Sequence, residues 1–392
     1  MSYTHVARKN VEDLRNLVKS VRDQSFSYEK REPAERNWHQ YDQAQVNEIA
    51  DVLETIRDVV NVASSHIPEE KRRAGRPPVP ASDIVKVLLM QTYFGMPNRI
   101  AEGFLRLFGE KLGVSSEFSY KTIERGYDPG RSKKLLDEVL RIMNESGNFM
   151  EKIFSTDGTG DPDTMKVNYE SKRSQQRIEK EKNKDKEKME SDAFPYTKGK
   201  HDFQYSSFSV GVHTKMIAGL YTTDDHSIGE LSMFPDIMAH TVDLCPQVEV
   251  MLGDALYSNR KICSIVDAYG IKPYFLPKTN ATFRSKGVAS WKTMLYSFVD
   301  DTQSWLEQYH MRSISESVNS MIKRKMPVKI RKKLPQRKQT EETLKINMHN
   351  LRQYSYLKRT NPEMIKDYRG LYSNLSFAKI TGSEFMLKQT YQ

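Results

Sequence analysis

Along the first seventy residues the apolar positions are few and helically spaced. Val46, Ile49, Val52, Leu53, Ile56, Val59 and Val60 form one stripe, which predicts an amphipathic helix in an otherwise polar region. Pro77, Pro78 and Pro80 then forbid helix and mark residues 71–81 as an extended basic linker. Helical spacing returns at 82: Ser82 is an N-cap for a helix to Tyr93, stopped by Gly95-Met96-Pro97. A second helix runs from Arg99 to about Gly109, a short element spans Ser119–Arg125, and an amphipathic helix covers Ser132–Asn144.

From about Glu151 the period shortens to that of strands. Ile153 and Phe154 lead into Asp157-Gly158, and Val248–Leu252 delivers Asp254 at its end. Between them, Phe203–His213 and Met216–Thr222 alternate on either side of Thr214-Lys215, which predicts an antiparallel hairpin. Helices are expected over Ser227–Ala239, from Ser258 to near Gly270, around Glu316, and over Thr340–Arg352, with a further strand at Lys272. The order is mixed α/β. The expected organisation is a helical region 1–70, the linker 71–81, a helical domain 82–150, an α/β domain 151–355 with a charged insertion at 171–191, and a tail 356–392.

Composition narrows the partners. A formal charge of +10 and a pI near 9.2 favour a polyanion, and a mean hydropathy of −0.69 signals a large polar surface. The charge is uneven: Lys323–Lys338 holds nine Lys or Arg and no acid, broken by Pro327 and Pro335, which reads as a basic loop placed to meet a nucleic-acid backbone. Cys245 and Cys263 form neither a zinc-type pair nor a disulfide framework. No apolar run approaches the ~18 residues of a membrane span and the N-terminus lacks an apolar signal core, so a cytoplasmic, nucleoid-associated protein is expected. His201, His213, His226 and His240 match no common ligand spacing and read as hairpin and loop residues, although His226 with Glu230 could line a site.

The chemistry concentrates in Tyr309-(2)-Arg312-(3)-Glu316-(6)-Lys323. On a helix Arg312, Glu316 and Lys323 share one face, a carboxylate between two cations. Taken alone, that is the pattern of a solvated helix laced with ion pairs. Preceded by Asp157 and Asp254, it resembles the signature of DDE transposases of the insertion-sequence 4 superfamily, over roughly residues 150–350.

The resemblance implies an RNase H-like mixed sheet with flanking helices, preceded by an all-helical DNA-binding region. It implies that Asp157, Asp254 and Glu316 are catalytic and hold Mg²⁺, with Mn²⁺ able to substitute, to cut double-stranded DNA at terminal repeats and join it to a target. Tyr309, Arg312, Lys323, Arg324 and Lys325 would meet phosphates, as would Lys121 and Arg125 on a helix-turn-helix element and Arg76 in a minor-groove hook. A homodimer is expected in the synaptic complex. Trp291 and Trp305 lie where the family carries a base-stacking aromatic, although each also reads as a core anchor. The alternatives are a non-catalytic DNA-binding descendant and a plain nuclease of the same fold.

Overall fold

A computed structural model describes residues 11–27, 35–68, 77–167 and 201–371. Arg76 and the charged insertion 171–191 therefore lie outside the described residues. The helices are α1 (Val11–Arg22), α2 (Trp38–His66), α3 (Ala81–Phe94), α4 (Asn98–Phe108), α5 (Tyr120–Gly126), α6 (Pro129–Gly147), α7 (Glu230–Leu244), α8 (Arg260–Ala268), α9 (Ala289–Asp300), α10 (Thr302–His310), α11 (Ser313–Lys325) and α12 (Pro335–Thr360). The strands are β1 (Ile153–Val167), β2 (His201–Gly211), β3 (Ile217–Thr223), β4 (Val250–Gly253) and β5 (Lys272–Phe275).

The five strands form one mixed sheet in the order β3-β2-β1-β4-β5. The hairpin predicted from alternation is present, and β1 extends it antiparallel to β2. On its other side β1 runs parallel to β4, and β4 parallel to β5. The chain thus leaves β1 toward β2 and returns on the opposite side at β4. A crevice forms at the carboxyl ends of strands where the connections part in this way.

The helices do not sit apart from the sheet. One apolar cluster runs from Leu14 and Val18 through Val52, Leu88, Leu136, Phe154 and Leu351 to Tyr368, and the boundaries expected near 70 and 150 fall inside it. Helix α12 is the reason. It packs against α2, α6 and α3, and also reaches β3. Thr55 and Ser355 share a buried hydrogen bond of 3.0 Å, and Arg352 pairs with Glu48 at 2.8 Å. Asn350 accepts from Ile217 N at 2.8 Å and donates to Ile217 O at 2.7 Å, satisfying the first residue of edge strand β3.

Several local expectations shift. Pro80, not Ser82, occupies the N-cap of α3, since the preceding prolines already set an extended entry and Ala81 begins the helix. Helix α12 starts at Pro335, five residues before the expected Thr340, because proline is tolerated in a first turn where its missing N–H has no helical partner. The basic stretch 323–338 is correspondingly less of a loop: its first three cations end α11 and Arg337 and Lys338 open α12.

His349 on α12 bridges to the β2–β3 turn, its Nε2 lying 2.8 Å from Lys215 O. It is 1% exposed, and burial pushes its pKa down to about 4. The unfolded chain takes up this proton below 6.5 and the folded chain does not until about 4. Stability is therefore lost as pH falls through that window, by about 3 kcal/mol. Urea unfolding at pH 7 and pH 4.5 measures the loss. His349→Gln, which keeps a donor for the Lys215 carbonyl without a titrating ring, flattens the profile in that interval.

Candidate metal and nucleic-acid site

The β1–β4 register brings the two aspartates together. Ser155 lies opposite Leu252 in the last β1–β4 pair; Asp157 and Asp254 each follow two residues later, and the charge of Asp254 reaches Asp157. Asp254 follows the last residue of β4 directly, as the sequence predicts. Asp157 does not end its strand: β1 continues to Val167 with β2 as its partner. Pairing with β4 stops at Ser155, so the Asp157 side chain lies where the sheet opens on that side.

Helix α11 packs along this opened part of β1, and contacts at three levels tie them together. Ser155 Oγ bonds to Arg312 O at 3.0 Å and to Ser315 Oγ at 3.2 Å. Asn319 Nδ2 donates to Asp157 Oδ2 at 3.1 Å. Lys323 Nζ donates to Gly160 O at 3.4 Å and stands 3.9 Å from Asp161 Oδ1. Residues 155, 157 and 161 are an even number of positions apart, hence on one face of the strand. That face meets the face of α11 bearing Glu316, Asn319 and Lys323.

Two acids on one strand face meet opposite environments. Asp161 is 3% exposed and is compensated by the equally buried Lys345, which also pairs with Glu342 at 3.2 Å. Asp157 is half-buried, accepts from Gly158 N at 2.9 Å, and is raised to about 6 by burial and by the charges of Glu230, Glu316 and Asp254. A carboxylate left uncompensated beside three others is an expensive arrangement for packing alone. It is suited to a cation.

Glu230 contributes to that field from the other face of β1. A Cβ at Gly158 would lie 3.1 Å from its carboxyl carbon and 2.5 Å from Tyr205 Oη, so a side chain there would displace the Tyr205–Glu230 pair. Tyr205 donates to Glu230 at 3.0 Å, and Tyr257 also donates to it.

The signature residues divide between two helices. Tyr309 lies in the last turn of α10, Arg312 caps α11, and Glu316 lies in the first turn of α11. Arg312 donates to Glu316 at 2.8 Å, so the i,i+4 ion pair does form. Tyr309 is 5% exposed, stacked on Trp305 at 5.1 Å and beneath the Arg312 guanidinium at 5.6 Å. Its ring thus holds Arg312 instead of presenting a surface to DNA. Arg324 and Lys325 are exposed, Lys325 lying 3.8 Å from Glu48.

Lys121 and Arg125 are exposed on α5. The expected tight turn does not precede that helix, because residues 109–119 separate it from α4. Glu124 of α5 is instead clamped to the basic stretch, by Lys332 at 2.5 Å and Arg337 at 2.8 Å. Trp291 and Trp305 are each 3% exposed, and the Trp291 indole donates to Thr282 O at 2.9 Å. Both are core anchors with no ring face open for a base. His226 stacks on Phe203 at 4.4 Å and bonds to its carbonyl at 2.9 Å. Cys245 and Cys263 are buried free thiols.

Among the described residues no three His, Cys, Asp or Glu side chains are already drawn together as a coordination group. At rest Glu316 is paired with Arg312, and Asp254 Oδ1 accepts from Leu256 N at 2.7 Å. The donor chemistry nonetheless fits a hard divalent cation, which prefers carboxylate oxygens and would relieve the crowding at Asp157. Among the described residues no helix is long and apolar enough to cross a membrane. No protein-family model and no curated protein matches the chain.

Proposed function

We propose that the protein is a DDE-type DNA transposase that cleaves DNA at the terminal repeats of its own element and transfers the freed ends to a target. The observation that carries this reading is that Asp157 and Asp254 each follow, by two residues, the last pair of β1 and β4 where these strands part, with the Glu316 face of α11 packed against the same strand. An antiparallel meander extended by two parallel strands also supports an RNase H-like core.

In this reading Asp157, Asp254 and Glu316 hold Mg²⁺. The bound cation supplies an activated water and charge stabilisation at the attacked phosphorus. With Glu316 engaged as a metal ligand, Arg312, now paired with it at 2.8 Å, would be available to a backbone phosphate. Tyr309 keeps the guanidinium aligned as it does so. Lys323, Arg324 and Lys325 extend the cationic rim along α11, positioning DNA without reading its sequence. A homodimer would hold two ends together.

The test is incubation of the full chain with Mg²⁺ and a duplex carrying the sequences that flank its coding region. Nicks mapped to one position at each flank support the reading. Scattered nicks point to a plain nuclease, and binding without cleavage points to a non-catalytic descendant.

End recognition cannot be separated by deleting residues 1–150, because that would strip α12 of α2, α3 and α6. Point changes are suitable. Lys121→Ala and Arg125→Ala are each expected to weaken end binding and to lower the slope of log affinity against log salt by about 1. Fluorescence anisotropy across a salt series measures both quantities.

A further inference from the structure

We propose that Asn319 is a positioning residue for the catalytic centre, orienting the Asp157 carboxylate for a divalent cation through a neutral hydrogen bond. The inference rests on the transposase reading and adds to it a residue outside the acidic triad and the four-residue signature.

The geometry comes first. Asp157 receives one donor on each oxygen: the Gly158 backbone N–H on Oδ1 at 2.9 Å and the Asn319 amide on Oδ2 at 3.1 Å. One donor belongs to the strand and the other to the helix, so together they fix the carboxylate plane. Each carboxylate oxygen has two lone pairs, and one donor per oxygen leaves acceptor capacity on both. Asn319 lies three residues after Glu316, on the same face of α11. The helix that carries the third acid therefore also orients the first.

The choice of side chain is informative. Four residues along the same strand face, Asp161 is met by Lys345 and approached by Lys323. A lysine at 319 would likewise neutralise Asp157 and compete with a cation. An aspartate would add repulsion to a group already crowded by Glu230, Glu316 and Asp254. An amide orients without neutralising.

Packing does not account for the amide either. Asn319 Oδ1 is buried without a hydrogen-bond partner. Leucine or methionine would fill the space with no orphaned acceptor, and such orphans are unfavourable. The amide orientation itself is set by Asp157, since a flipped amide would place oxygen against carboxylate.

Hydrogen-bond partners of metal-binding groups commonly change metal affinity 10–100-fold when removed. Mn²⁺ titration followed by electron paramagnetic resonance reads this directly on the full chain. Asn319→Ala and Asn319→Leu, which keeps the branched shape without the amide, are expected to weaken Mn²⁺ binding by about 10-fold or more. Thermal unfolding in EDTA and DNA affinity in EDTA should stay close to wild type. Raising Mn²⁺ should restore nicking to both variants but not to Asp157→Asn, and Asn319→Gln should recover part of the affinity. Wild-type Mn²⁺ affinity in both Asn319→Ala and Asn319→Leu would overturn the positioning role while leaving the metal reading in place. Failure of the wild-type chain to bind Mn²⁺ at millimolar concentration would overturn both.

Discussion

Asp157→Asn is expected to reduce DNA cleavage on the order of 10³-fold or more, equivalent to about 4 kcal/mol of lost transition-state stabilisation, while leaving the fold intact. Asp254→Asn and Glu316→Gln should act in the same direction. Near-normal nicking by any one of these variants in a plasmid assay would remove that residue from the centre. The Asp157 variant carries a second signature. Burial and neighbouring carboxylates raise this group to about 6 from 3.8, so its charged form disfavours folding. That penalty is absent below the unfolded value, grows as pH rises, and is fully present above about 6. In EDTA at pH 7.5, Asp157→Asn should therefore be more stable than wild type by roughly 1–2 kcal/mol, discounted for partial exposure. Adding Mg²⁺ should stabilise the wild type and not the variant. A destabilised variant in EDTA would show that Asp157 serves the fold.

Asp161→Asn should behave in the opposite way. Asp161 and Lys345 are 3% and 2% exposed, so removing the acid leaves a buried ammonium short of a charge partner. Glu342, itself buried and pushed upward toward its neutral form, remains 3.2 Å from Lys345 and offsets only part of the loss. Breaking such a pair costs about 3–5 kcal/mol. Equilibrium urea unfolding at pH 7 measures it. Lys345→Met should lose a similar amount, and the double change Asp161→Asn with Lys345→Met should recover part of the loss, since the ammonium and the aspartate are then both gone and Glu342, which burial pushes toward its neutral form, is left protonated. Additive losses would show that the pair acts through separate contacts. The aspartates are four residues apart on one strand face, yet one change should remove activity and the other stability.

Much of the α/β half was legible in the sequence, and the physical reason is local. Strand alternation around Thr214-Lys215 exposes a hairpin, and proline and glycine mark ends at Pro80 and Gly95, where Gly95 adopts φ 64°. The spacing of Arg312 and Glu316 was enough to place them together, because helical neighbours are set by the backbone repeat. Boundaries were less legible: proline at 335 reads as a breaker until it is seen inside the first turn of α12.

The candidate acids, their order along the chain, the cationic bias and the alternation of elements are all written in the linear chain. Which acids come near enough to raise Asp157, and which one meets a lysine, depends on folding. The register of β1 against β4, the packing of α11 on the opened strand and the arrival of Lys345 from α12 are contacts between segments far apart in sequence. No periodicity records them. Asp157 and Asp161 are both short acids on β1, and what separates their roles is an amide opposite one and an ammonium opposite the other. The burial of Tyr309, Trp291 and Trp305 was decided in the same way, because exposure depends on what packs above a side chain and not on its own neighbours in the chain.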